Sequence, residues 1–347
     1  MTMRIANWRG LAVLAAASAT LPATAQDASL ETQVFDLAEH LTADVTLADA
    51  DGDGDLDVLT ANGRHWAQQD YVFLNSGNGR LLEARELGET LSASYTIRPA
   101  DLDGDGDVDA VAVRDSLPIQ LFHNDGGGRF TLAGTLPDSA LAARSALLAD
   151  VDGDGLADLV VATRRGADHV WFGNGQGGFE AGAQLPDDGF GTTGVATGDI
   201  DGDGLDDIII GTAYNDDVRE NAGKAYLIFG GNLALHGNAP RSLANADFFF
   251  FGENANNNAG ISVSGAGDID GDGHYILGGH TVPLNPDGSD GPHGWEGTAI
   301  KVDKGSKNML WKTTFGNPNN GPNPSLIFDE CYGVVAVPWG GYALACG

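Results

Sequence analysis

The sequence predicts an all-β chain made of repeated four-stranded units. Two observations carry that reading. First, an aspartate-rich stretch recurs, with copies starting at Asp49, Asp101, Asp150, Asp199 and Asp268. Second, the segments between copies are short apolar, β-branched runs parted by glycine-rich turns, and none sustains a 3.6-residue period. Four strands per unit of ~50 residues, repeated in series, is what a β-propeller blade requires. A lone blade leaves both faces bare, so neighbouring blades must cover them.

The elements follow in order. Residues 1–25 carry Arg4 and Arg9, then an apolar run, then Ala23-Thr24-Ala25 before Gln26. That is the pattern of a secretory signal peptide. No later apolar run approaches the ~20 residues of a membrane span. Propeller repeats are expected over 26–280, and a divergent or truncated β segment with one or more further blades over 281–347. About six units are legible. The formal net charge of -31, from 49 acidic and 18 basic residues, argues against nucleic acid or an anionic membrane surface as partner. Cys331 and Cys346 are the only cysteines, and both a local disulfide and two free thiols fit the sequence.

After each of the first four aspartate stretches comes an apolar run: Leu56 to Thr60, VDAVAV at 108–113, DLVVAT at 158–163 and DIIIGT at 207–212. A second run follows (YVFLN, IQLFHN, HVWFGN, AYLIFGG), then a glycine turn, a third run, and a fourth that leads into the next aspartates.

The stretches themselves read DADGDGDLD, DLDGDGDVD, DVDGDGLAD, DIDGDGLDD and DIDGDGHYI. Carboxylates at positions 1, 3 and 5 of a tight loop converge on one point, and a hard cation with 6–8 oxygen ligands suits them; calcium fits best. The expected ligands are Asp49, Asp51 and Asp53; Asp101, Asp103 and Asp105; Asp150, Asp152 and Asp154; Asp199, Asp201 and Asp203. Position 7 offers its backbone carbonyl, so its side chain varies: Asp55, Asp107, Leu156, Leu205. Position 9 closes the shell with Asp57, Asp109, Asp158 or Asp207. Glycines at positions 4 and 6 permit the curvature. The fifth copy keeps Asp268, Asp270 and Asp272 but has Ile276 at position 9, so four sites are expected with a fifth incomplete. An EF-hand is excluded, because position 12 is Thr60, Ala112, Val161 or Ile210 inside a strand. A single acidic turn could be a solvated surface feature. Four copies with position 9 filled argue against that.

These residues resemble the FG-GAP/VCBS repeats found in integrin alpha-chain propellers and many secreted bacterial proteins. AGISVSGAGDIDGDG at 259–273 is similar to the integrin-type form, and GKAYLIFGG at 223–231 follows the same pattern. The resemblance covers residues 31 to 273. It implies a propeller, usually of seven blades, with calcium in the loops between strands.

No G-x-S-x-G, HExxH or P-loop occurs, and the eight histidines are scattered. The expected function is therefore a secreted, calcium-stabilised binding or adhesion module for a protein or a cell-surface glycan. The alternatives are a propeller-scaffold polysaccharide lyase or hydrolase, or a spacer in a larger surface protein. NGRHWAQQD, residues 62–70, is an irregular polar and aromatic insertion. Local packing of Trp66 is favoured there over contact with a sugar or protein.

Overall fold

The computed structural model describes residues 40–77, 79–185, 189–200 and 203–230. Beyond these it describes residues 246, 248–252, 259–260, 263, 274–281, 296–303, 309–315, 331–336 and 342–346. The leader at 1–25, Asp201 and the fifth loop with Asp268, Asp270 and Asp272 lie outside the described residues. Those described contain β-strands and turns and no helix.

Four sheets of four antiparallel strands follow one another, each in sequential strand order. The first is β1 (Thr42–Ala48), β2 (Asp57–Asn62), β3 (Tyr71–Asn75) and β4 (Leu81–Glu86). The second is β5 (Ser94–Ala100), β6 (Asp109–Arg114), β7 (Gln120–Asn124) and β8 (Phe130–Thr135). The third is β9 (Ala143–Ala149), β10 (Asp158–Thr163), β11 (Asp168–Gly173) and β12 (Phe179–Leu185). The fourth is β13 (Gly194–Gly198), β14 (Asp207–Thr212), β15 (Lys224–Ile228) and β16 (Phe248–Phe251). A three-stranded sheet comes next, β17 (His274–Thr281), β18 (Glu296–Asp303) and β19 (Met309–Phe315). The last is the pair β20 (Cys331–Ala336) and β21 (Tyr342–Cys346), whose register sets Cys331 opposite Cys346. The four four-stranded sheets are the blades that the repeat predicts.

The structure shifts the repeat against the blade by one strand. The run that leads into each aspartate loop pairs with the run that follows it: Ala48 faces Asp57, and Ala149 faces Asp158. A loop this short joins an antiparallel hairpin. The fourth run of each sequence repeat is therefore the first strand of the next blade.

Burial explains the strand compositions. β2, β10 and β14 are buried at every position, which requires apolar residues facing both ways. The fourth strand, as in β8, is largely exposed, and Thr131, Leu132 and Ala133 sit in solvent. Two compact units result, the first built on the β1–β4 and β5–β8 sheets and the second on the sheets from β9 onward. In the first, Leu59, Val72 and Leu74 pack with Ile97, Ala110, Ala112 and Phe122. In the second, Val160, Val170 and Leu185 pack with Ile208, Ile210, Tyr226 and Ile228.

A buried carboxylate recurs at the blade end opposite the aspartate loop. Asp70 accepts the Asn62 N–H at 2.6 Å and the hydroxyl of Ser94, on the next blade, at 2.6 Å. Asp168 does the same with the Thr163 N–H at 2.7 Å and the Thr192 hydroxyl at 2.7 Å. Each thus ties its own hairpin to the strand or turn that opens the following blade. Burial pushes the Asp70 carboxyl up to about 6, against the pull of its hydrogen bonds and of Arg114.

The folded chain therefore holds the Asp70 proton more tightly than the unfolded one. That contribution is complete below about pH 4 and is lost as pH rises through about 6, a change of about 3 kcal/mol. Asp70→Asn should flatten the stability profile between these limits. Chemical denaturation of both proteins across that range checks it, and parallel profiles would contradict it.

Candidate metal centres

Each of the first four aspartate loops joins the first and second strands of a blade. Its geometry follows from two glycines. Gly52 and Gly54 have φ of 73° and 92°, and Gly104 and Gly106 of 80° and 94°. Gly153 and Gly155 repeat this at 82° and 83°. A side chain at these positions would be strained. The left-handed turns bring backbone N–H groups inward onto the carboxylates. The position 1 carboxylate accepts the N–H of position 6: Asp49 from Gly54 at 3.0 Å, Asp101 from Gly106 at 3.1 Å, Asp150 from Gly155 at 3.0 Å and Asp199 from Gly204 at 3.2 Å. The position 5 carboxylate accepts the N–H of position 7, in Asp53, Asp105, Asp154 and Asp203, at 2.8–2.9 Å. Position 7 contributes a backbone group, so Asp55, Asp107, Leu156 and Leu205 serve equally.

Position 9 has a structural duty that the spacing did not reveal. Asp57, Asp109, Asp158 and Asp207 are fully buried. One oxygen accepts the position 2 N–H of its own loop, from Ala50, Val151 or Ile200 at 2.8–2.9 Å. The other accepts an N–H at the far end of the third strand, from Asn75, Asn124, Gly173 or Gly230 at 2.7–3.0 Å. This carboxylate fastens the loop to the sheet. In Asp57 and Asp158 each oxygen keeps a lone pair for a further ligand. Asp158 uses that capacity in its geometry: it offers an oxygen within 4.8 Å of those of Asp150 and Asp152.

The same convergence occurs at Asp49, Asp51 and Asp53, and at Asp101, Asp103 and Asp105. In the fourth loop Asp199, Asp203 and Asp207 keep the bonding pattern of the others. A cation fits the first loop on a specific observation: Asp49 Oδ1 and Asp51 Oδ1 are buried and have no hydrogen-bond donor. Buried, unpaired carboxylate oxygens are costly, and a hard ion satisfies them. Burial also raises the Asp57 and Asp152 carboxyls, and it pushes Asp158 up to about 6. The nearby Asp152 and Asp154 add repulsion at Asp158.

Two side chains near the loops escaped the sequence reading. His123, on β7, has a ring nitrogen within 4.8 Å of an Asp109 oxygen. Asp206, at position 8, donates its N–H to the Asp150 carbonyl of the preceding loop at 3.1 Å. Burial raises its carboxyl, with repulsion from Asp150 and Asp199. Neighbouring loops are linked in the first unit too, where Asn124 Nδ2 donates to the Ala50 carbonyl at 2.7 Å and to that of Val108 at 3.0 Å.

Residues 49–112, 101–161 and 150–210 each match the FG-GAP-like repeat family. The three matches overlap and together span residues 49–210. Each matched span opens on position 1 of a loop and ends within the second strand of the next blade, the one-strand offset seen in the fold. The integrin-type phrase at 259–273 lies beyond the matched stretch. No curated protein matches the chain. Among solved structures it is similar to BBS1N in complex with ARL6DN, at 12% identity and a TM-score of 0.42, over 84% of this chain and 88% of that one. It is also similar to the Dos1 propeller, at 10% identity and a TM-score of 0.43, over 80% of this chain and 70% of that one.

The two kinds of aspartate should separate in a chelator. Without metal, Asp158→Ala leaves two buried N–H groups unpaired and should cost about 2–5 kcal/mol. Asp154→Ala under the same conditions should cost less than about 1 kcal/mol, since its acceptor role is exposed. Urea unfolding of both variants in EDTA measures the difference, and equal losses would contradict the division of roles.

Proposed function

We propose that this chain is a secreted, calcium-stabilised propeller-repeat protein that acts as a binding or adhesion module for an extracellular ligand. The observation that carries the metal is the pair of buried, donorless oxygens on Asp49 and Asp51, in a loop whose backbone pattern recurs in the other three. Positions 1, 3 and 5 would hold the ion, with position 9 closing the shell. The ion would offset the mutual repulsion of the carboxylates and hold each hairpin in register.

The binding role rests on the contrast between the two ends of each blade. The aspartate end is nearly constant. The turn between second and third strands, at the other end, runs GRHWAQQ, DSLP, RRGA and AYNDDVRENAG. A rigid, repeated scaffold that carries variable turns is the usual arrangement for recognition. Export is proposed from the leader pattern at 1–25, and a calcium-rich exterior would keep such loops filled.

Free calcium at 100 times the dissociation constant should add roughly 2.7 kcal/mol per filled site. Calcium should therefore raise the melting temperature steeply, and magnesium far less. A melting curve unchanged between millimolar calcium and EDTA would overturn the metal assignment.

A further inference from the structure

The β2–β3 turn of the first blade, residues 63–70, is built to present a side chain rather than to bury one. Trp66 is 71% exposed, against the expectation that it packs locally. Yet the turn beneath it is pinned. Gly63 donates to the Leu41 carbonyl at 3.0 Å, Trp66 to that of Gly63 at 2.7 Å, and Gln68 exchanges two 2.8 Å bonds with Ser92. The Gln68 side chain accepts the Leu41 N–H at 2.7 Å. Gly63 has φ 100°, and a Cβ there would lie 2.3 Å from the Trp66 carbonyl and 2.6 Å from that of Ser92. Its lack of a side chain lets the turn close.

An arginine and a histidine precede Trp66 in the turn. Arg64 and His65 are exposed, and the His65 ring is held by the Tyr95 hydroxyl at 3.1 Å. Arg64 has φ 45°, a left-handed conformation that the third blade's matching turn gives to Gly166. An arginine there costs about 1 kcal/mol relative to glycine, and Ser116 adopts the same region, at φ 62°, in the second blade's turn. Leu41, 48% exposed, and Leu91, 63% exposed, lie on the segments bonded to this turn.

We propose that this turn is a saccharide-binding subsite that takes a pyranose bearing a carboxylate, a uronic acid. The inference deepens the binding-module reading and rests on it. The indole face stacks on the apolar face of the ring. The Arg64 guanidinium takes the carboxylate, and His65 a hydroxyl. Size favours a sugar over a protein. Trp66, Leu41 and Leu91 offer on the order of a few hundred Å2, short of the ~800 Å2 per partner of a standard protein interface. Charge favours a sparse anion, because the net charge of -31 repels a dense polyanion while the Arg64 guanidinium acts at short range.

The test is calorimetric titration of the full chain in millimolar calcium with three hexasaccharides: unsulfated hyaluronan, neutral chitohexaose and heparin. Hyaluronan should bind best. Trp66→Ala should weaken it at least tenfold. Arg64→Gly should remove the preference for hyaluronan over chitohexaose while leaving the melting temperature unchanged or raised, because glycine suits φ 45°. No hyaluronan binding at about 1 mM, chitohexaose or heparin bound as well as hyaluronan, or an unaffected Trp66→Ala protein would each overturn the proposal. Melting curves of the same samples separate the two readings. A calcium response without sugar binding sinks this subsite alone. Sugar binding without a calcium response sinks the metal assignment alone.

Discussion

Carboxylate repulsion at the head of each hairpin is the constraint to which the rest of the fold answers. Positions 1, 3 and 5 crowd three charges into one small volume in the first two loops, and positions 1, 3 and 9 do so in the third. Left-handed glycines curl the backbone so that its N–H groups meet those charges. A fourth carboxylate, fully buried at position 9, binds the curl to two strands. The backbone donors supply part of what the charges need. Asp49 Oδ1 and Asp51 Oδ1 remain without a donor, and a divalent cation would complete the loop. Because the loop closes a hairpin, the ion would set the register of the first two strands, and the buried second strand depends on that register.

Coupling between blades runs at both ends of the sheets. At the aspartate end, Asn124 reaches the Ala50 carbonyl, and the Asp206 N–H reaches that of Asp150. At the other end, Asp70 and Asp168 take a hydroxyl from the strand or turn that opens the next blade. The offset of repeat against blade reinforces this, since each repeat ends as the first strand of its neighbour. Folding one repeat commits the next, as nearest-neighbour stabilisation in repeat proteins requires.

Much of this was legible in the sequence because the signal is periodic. The DxDGDGxxD spacing fixes loop, glycine and ligand positions together, and the β-branched runs mark the strands. Four things were not legible. A buried aspartate that accepts N–H groups and one that ligates an ion share a side chain, so position 9 looked like a ligand alone. The pairing of each fourth run with the strand after its loop is a matter of hairpin closure, which composition does not encode. Trp66 reads as a packing residue because tryptophan usually is one; its exposure follows from backbone bonds to Leu41 and Ser92, distant in sequence. Asp70 carried no motif, and only its burial marks it.

Anomalous scattering from crystals grown in calcium tests the central claim most directly. The account predicts a peak in each of the first four loops, bounded by the carboxylates at positions 1, 3 and 5. Loops without peaks at millimolar calcium, with Asp49 and Asp51 turned to solvent, would contradict it.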